Sequence, residues 1–268
     1  MLAILVMLID HFAAGIIYPA IANGNMDKLL LTYHIEAATI GDYEHFYLVL
    51  RGIGRFAFPI FCYLLVEGFM YTRSKVRYTI SLFIFGLISE FPFDITLTAK
   101  NVYDTLNIKE IFLTSERNVW EYQNVYFTLA LGVLGMWGAD TIFKKLRECN
   151  IVIAYADSIL PFVLSAQAAY YMKTDYSFYG ICVIAILYYF HDNRLVATIS
   201  AYIFMTVTMS TGMTGGMEEW SYPAFILMNF YNGQRGFIKK GFKYYFYIFY
   251  PAHLILIFLL RYYLFMRI

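Results

Sequence analysis

Residues 51–71, RGIGRFAFPIFCYLLVEGFMY, decide the class of fold. They form an apolar run of membrane length with two arginines at one end and a glutamate toward the other. About 20 mostly apolar residues cross a bilayer, and ionisable groups inside such a run are costly enough to imply a polar interior and a function. The pattern recurs along the chain. Asp10 and His11 interrupt the first apolar run, Glu90 and Asp94 the third, and His253 the last. A chain of this kind reads as an enzyme or transporter buried in a membrane.

Composition supports that class. Of 268 residues, 60% are hydrophobic and only 15% charged, against roughly 25% charged in an average soluble domain. The 26 Tyr and 25 Phe suit interfacial belts and helix packing. A net charge of +1 excludes a broad nucleic-acid surface, which concentrates Lys and Arg on one face. Cys62, Cys149 and Cys182 are odd in number and two lie in apolar runs, so they read as packing residues, with no disulfide or metal framework expected.

The expected fold is all-α, a polytopic transmembrane bundle of about nine spans in one domain: 1–21, 50–71, 78–98, 125–143, 151–171, 178–190, 195–210, 221–231 and 244–265. The sixth to eighth are short or weak. Lys and Arg in short loops stay cytoplasmic. Arg73, Lys75 and Arg77, then Lys144, Lys145 and Arg147, then Arg194, then Arg235, Lys239, Lys240 and Lys243 all fall on one side of nine spans. That places the N-terminus in the cytoplasm and the C-terminus outside. The connection 100–124 has mixed charge and could carry a short surface helix, while STGMTGG at 210–216 reads as a flexible loop. The first span lacks the basic n-region of a signal peptide and is expected to be retained; its abrupt opening leads us to expect a few residues upstream.

Depth along each helix sorts the polar residues. His11, Glu90 and His253 fall near the middle of spans one, three and nine, and so share a level. Arg51 and Arg55 are one turn apart on one face at the outer end of span two, and Glu67 lies toward its cytoplasmic end. Neighbouring residues on a helix point about 100° apart, so Asp10 is poorly placed to orient His11 and is expected to pair with an arginine of span two. Each position also has a structural alternative. His11 could hydrogen-bond between helices, His253 could satisfy a carbonyl freed by Pro251, and Arg51 could snorkel to the aqueous side. Glu67 could form an ion pair with Arg73 at a helix end. Glu90 and Asp94, one turn apart, either bind arginines or hold a proton. Asn124 and Thr128 more often cap or hydrogen-bond than catalyse.

IDH in span one, RGIGRFAFPIFCYLLVEGF, YTRSKVRY, LFIFGLISEFPFD, NVYFTLALG, the pair Tyr179 and Gly180, and FYPAHL at 249–254 together resemble the TraX family, in the family's order and over most of the chain. The resemblance implies a multi-pass acetyltransferase of the bacterial inner or plasma membrane that uses cytoplasmic acetyl-CoA as co-substrate. The family is named for conjugative-pilin acetylation but is broader than that activity. The acceptor stays open as an amine or hydroxyl on a peptide, a glycan or a small molecule. On this reading His11, Asp10, Arg55, Glu90 and His253 are the expected catalytic residues. Arg51, Glu67, Tyr71 and Asn124, with the loop cations Arg73, Arg77, Lys239 and Lys240, are the expected acetyl-CoA contacts, the last four through its phosphates. A histidine could serve as base or take the acetyl itself, and Arg55 or a tyrosine could stabilise the oxyanion. The competing expectation is a proton-coupled secondary transporter, since midplane His and carboxylates also build proton relays. The absence of paired halves in the sequence weighs against it. A scaffold without chemistry would not need so many ionisable residues at one depth.

Overall fold

A computed structural model describes residues 1–32, 40–98, 106–114, 121–209, 217–233 and 243–266. Lipid offers no water to the backbone, so an apolar chain must satisfy its amides internally. The described residues accordingly form helices. In chain order these are α1 (Leu2–Phe12), α2 (Tyr18–Ala22), α3 (Met26–Thr32), α4 (Ile40–Gly54), α5 (Ala57–Tyr71), α6 (Lys75–Phe93), α7 (Ile108–Thr114), α8 (Val125–Leu146), α9 (Ile151–Ser158), α10 (Leu160–Tyr171), α11 (Ser177–Tyr189), α12 (Arg194–Met209), α13 (Tyr222–Asn229) and α14 (Lys243–Phe265). Two wider π-helical turns interrupt this pattern, Ala13–Ile17 between α1 and α2 and Asp94–Thr98 after α6.

Six helical stretches among the described residues are long and apolar enough to cross a membrane: Leu2–Ala22, Asp42–Tyr71, Lys75–Thr98, Val125–Leu146, Ile151–Tyr171 and Tyr244–Phe265. Two shorter apolar helices, Ser177–Tyr189 and Arg194–Met209, fall where the sixth and seventh spans are expected. The eighth is represented by α13, whose 8 residues rise about 12 Å against a hydrocarbon core of about 30 Å. The protein is a helical, multi-pass membrane protein. The second stretch starts eight residues before the expected boundary because Asp42, Glu44 and His45 end the apolar run without ending the helix. Arg51 therefore lies in the last turn of α4 and Arg55 in the short break between α4 and α5, inside the second stretch rather than at its outer end. The surface helix expected within 100–124 is α7, whereas 210–216 lies outside the described residues.

The chain divides into two compact units. The first comprises Met1–Ala57, Ile88–Glu121 and Arg235–Ile268. Its core includes Ile17, Ala20, Met26, Leu29, Tyr43 and Phe265, with a second cluster of Ile95, Ile111 and Phe258. The second comprises Phe58–Leu87 and Tyr122–Gln234. There Asn124 caps α8 by accepting from the Tyr126 amide at 3.0 Å, and its side-chain amide donates to the Gly86 carbonyl at 2.8 Å. Lys75 and Lys144 both pair with Asp140, which ties α6 to α8.

Candidate active site

In the first unit, α1 carries Asp10 and His11 on consecutive residues, and the two point to different partners. Asp10 accepts from Arg51 Nη1 at 2.5 Å and from Arg55 Nη2 at 3.0 Å, so one buried carboxylate is held between two guanidiniums. The arginines are one turn apart and their donors converge on both carboxylate oxygens. Gly54 makes this approach possible: a Cβ there would stand 2.1 Å from Asp10 Oδ1. Arg51 Nε is buried and has no hydrogen-bond partner among the described residues.

His11 turns the other way, toward α14. Its Nδ1 lies 2.7 Å from Nε2 of His253, and the two rings are nearly parallel at an interplanar angle of 10°. His253 is buried, its Nδ1 is 2.9 Å from the Phe249 carbonyl, and its ring stacks on Phe249 with centroids 5.0 Å apart. Tyr250 meets both imidazoles edge-on, with centroids 5.8 Å from His11 and 5.5 Å from His253. A carbonyl oxygen only accepts, so His253 Nδ1 carries the proton facing Phe249. With both rings neutral, His253 Nε2 is then the acceptor and His11 Nδ1 the donor. The lone pair of His11 is left on Nε2. This chain of two bonds fixes the tautomer of a base in the way a carboxylate does in a catalytic triad.

Glu90 and Asp94 are buried in the same unit, near the end of α6 and at the start of the following π-helical turn. Sequence reasoning passed over Arg261, which is fully buried in α14 and donates to the carbonyls of Ile95, Thr96 and Gly15. Its only signal is a cation inside an apolar run, and near the end of a spanning helix that also describes a snorkelling residue.

The remaining expected site residues fall in the second unit or outside the described residues. Glu67 is buried and pairs with His191 Nε2 at 3.0 Å, so its described partner is this histidine and not Arg73. Tyr71 is 74% exposed, and Arg73 and Arg77 are exposed around the α5–α6 connection. Asn124 is the buried cap described above, which matches its structural alternative. Thr128 likewise hydrogen-bonds, to Thr174 at 2.9 Å and to the Asp175 carbonyl. Lys239 and Lys240 lie outside the described residues. Among the described residues no group of three or more His, Cys, Asp or Glu is arranged to hold a metal ion.

A family model described as TraX protein matches residues 1–261. The chain is also similar to the probable fimbrial assembly protein FimC, serogroup H1, of Dichelobacter nodosus, at 26% identity over 238 residues that cover 84% of this chain and 87% of that protein. No solved structure matches it.

Proposed function

Because the chain belongs to the TraX family, we propose that it is a membrane-embedded acetyltransferase that moves acetyl from acetyl-CoA to an amine or hydroxyl acceptor. The observation that carries this reading is the His11–His253 pair, whose bonding leaves an unprotonated Nε2 on His11, next in the chain to the Asp10 carboxylate that Arg51 and Arg55 share. His11 Nε2 accepts the acceptor's proton as that nitrogen or oxygen attacks the thioester carbonyl. The carbon–sulfur bond then breaks, and the CoA sulfur leaves with the proton. Arg51, whose Nε has no partner among the described residues, and Arg55 bring charge toward the developing oxyanion, where a preorganised donor acts most strongly. His253 stays neutral and holds the His11 ring. The fimbrial assembly description of the relative supports a surface protein subunit as acceptor.

Purified protein in detergent is expected to release free thiol from acetyl-CoA in an acceptor-dependent way. A proton-coupled transporter would instead leave acetyl-CoA intact while moving solute in proteoliposomes, and that outcome would replace the acetyltransferase reading. Phosphate recognition belongs to the exposed cations Arg73 and Arg77 in this proposal. A charge-assisted contact of this type contributes about 1.5–3 kcal/mol, so Arg73→Ala is expected to weaken CoA binding roughly 10-fold or more by calorimetry. Wild-type affinity in Arg73→Ala and Arg77→Ala alike would remove these residues from the CoA site.

A further inference from the structure

Arg261 lies about two turns beyond His253 on α14 and is the largest of the fully buried side chains among the described residues. Its guanidinium donates to Ile95 O at 2.6 Å, Thr96 O at 2.9 Å and Gly15 O at 3.4 Å, and it stands 5.6 Å from the centre of the Phe258 ring. All of its bonds among the described residues go to carbonyls, and Nε has none. A buried cation held only by dipoles is expensive, and such a residue in a membrane helix has a task to perform.

The carbonyls it holds come from the two places where the helical path is widened. Gly15 stands four residues before Pro19, which has no N–H to offer it. Ile95 and Thr96 belong to the π-helical turn Asp94–Thr98, where the widened path alters the regular bonding of the carbonyls. Two more contacts join the same elements. Thr96 Oγ1 donates to Leu254 O at 3.0 Å, and Gly15 packs so closely on α14 that a Cβ would stand 2.8 Å from Ile257 Cγ2. Residues 254, 257 and 261 share one face of α14, and Gly15 lies one turn after His11. A slip of α14 by one residue would move it about 1.5 Å and turn it about 100°. The 2.7 Å bond between the imidazoles could not survive that.

We propose that Arg261 is a positioning residue that pins α14 to the two π-helical turns and thereby holds His253 in bonding register with His11. The proposal rests on the reading of His11 as the base, and its test has a readout independent of turnover. In protein labelled with 15N-histidine, the wild type should show His11 with its proton on Nδ1. Arg261→Gln should lose that single tautomer, with kcat falling roughly 10-fold or more and KM for acetyl-CoA unchanged within about twofold, as displacement of a base without loss of binding requires. Arg261→Lys keeps the charge but not the planar fork, and should recover only part of the effect. Thr96→Val leaves Arg261 in place, removes the neighbouring hydroxyl tie, and should shift the tautomer in the same direction but less. If Arg261→Gln fails to fold, Thr96→Val decides alone. Wild-type histidine spectra and turnover in the folded variants would overturn the proposal. Histidine signals that move as expected in a protein with no acetyl transfer would retain the positioning role and remove the acetyltransferase reading.

Discussion

His11→Ala is expected to lower acetyl transfer by about 10²–10⁴-fold, the range lost when a general base is removed. The reasoning starts from the Phe249 carbonyl. It fixes the proton on His253 Nδ1, which makes His253 Nε2 an acceptor and leaves the free lone pair on His11. His253 has both nitrogens engaged within the protein and can act only through its partner. His253→Ala should therefore cost less than His11→Ala, because the remaining imidazole keeps a titratable nitrogen but loses its fixed orientation. Removing His11 leaves His253 Nε2 buried without a donor, a penalty of about 1–3 kcal/mol, so the folded variant should still be recoverable in detergent. Initial rates of thiol release with thermal unfolding of the same preparations check the assignment. A His253→Ala protein without activity beside an active His11→Ala protein would reverse the two roles.

The largest effect on stability is expected at Asp10. Its carboxylate is shared by Arg51 and Arg55, and Asp10→Ala would leave both guanidiniums in place without their anion. Breaking a buried pair by removing one partner costs about 3–5 kcal/mol, mostly through the stranded charge. Gly54→Ala should reproduce much of this loss with no change of charge. Its new Cβ would lie within 2.6 Å of three Asp10 atoms and would force the carboxylate off the arginines. The double variant Asp10→Ala, Arg55→Met should be more stable than Asp10→Ala, since it removes one of the two uncompensated cations. Thermal unfolding in one detergent measures all three. A wild-type melting curve for Asp10→Ala would show that the ion pairs are not holding α1 against α4.

The polar residues of the candidate site were legible in the sequence because hydrocarbon makes each of them conspicuous. IDH, RGIGR and YPAH each set an ionisable group in an apolar run, and the 100° rule separated Asp10 from His11 and sent it toward an arginine. The bond between His11 and His253 joins residues 242 apart in the chain. Shared depth placed them at one level, but the rotation of each helix about its axis leaves no mark in either segment. The start of the second helical stretch was hidden for a different reason, since its first turns carry charge and apolarity was the only guide. Arg261 was missed because its partners are main-chain carbonyls, which every residue possesses and which no side-chain pattern announces. The π-helical turns behind those carbonyls left only Pro19 and Pro92 as traces, and a proline in a spanning helix more often signals a kink.

In an uninterrupted helix, gaining or losing one residue rotates everything beyond it by about 100°. A membrane span that places functional groups on one face therefore resists insertions and deletions along nearly its whole length. The wide turn at Ala13–Ile17 is a local exception, because a π-turn absorbs one extra residue while the flanking helices keep their phase. In the first span it lets the chain carry one residue more than a regular helical path would, while Leu2–Phe12 and Tyr18–Ala22 each keep their own faces.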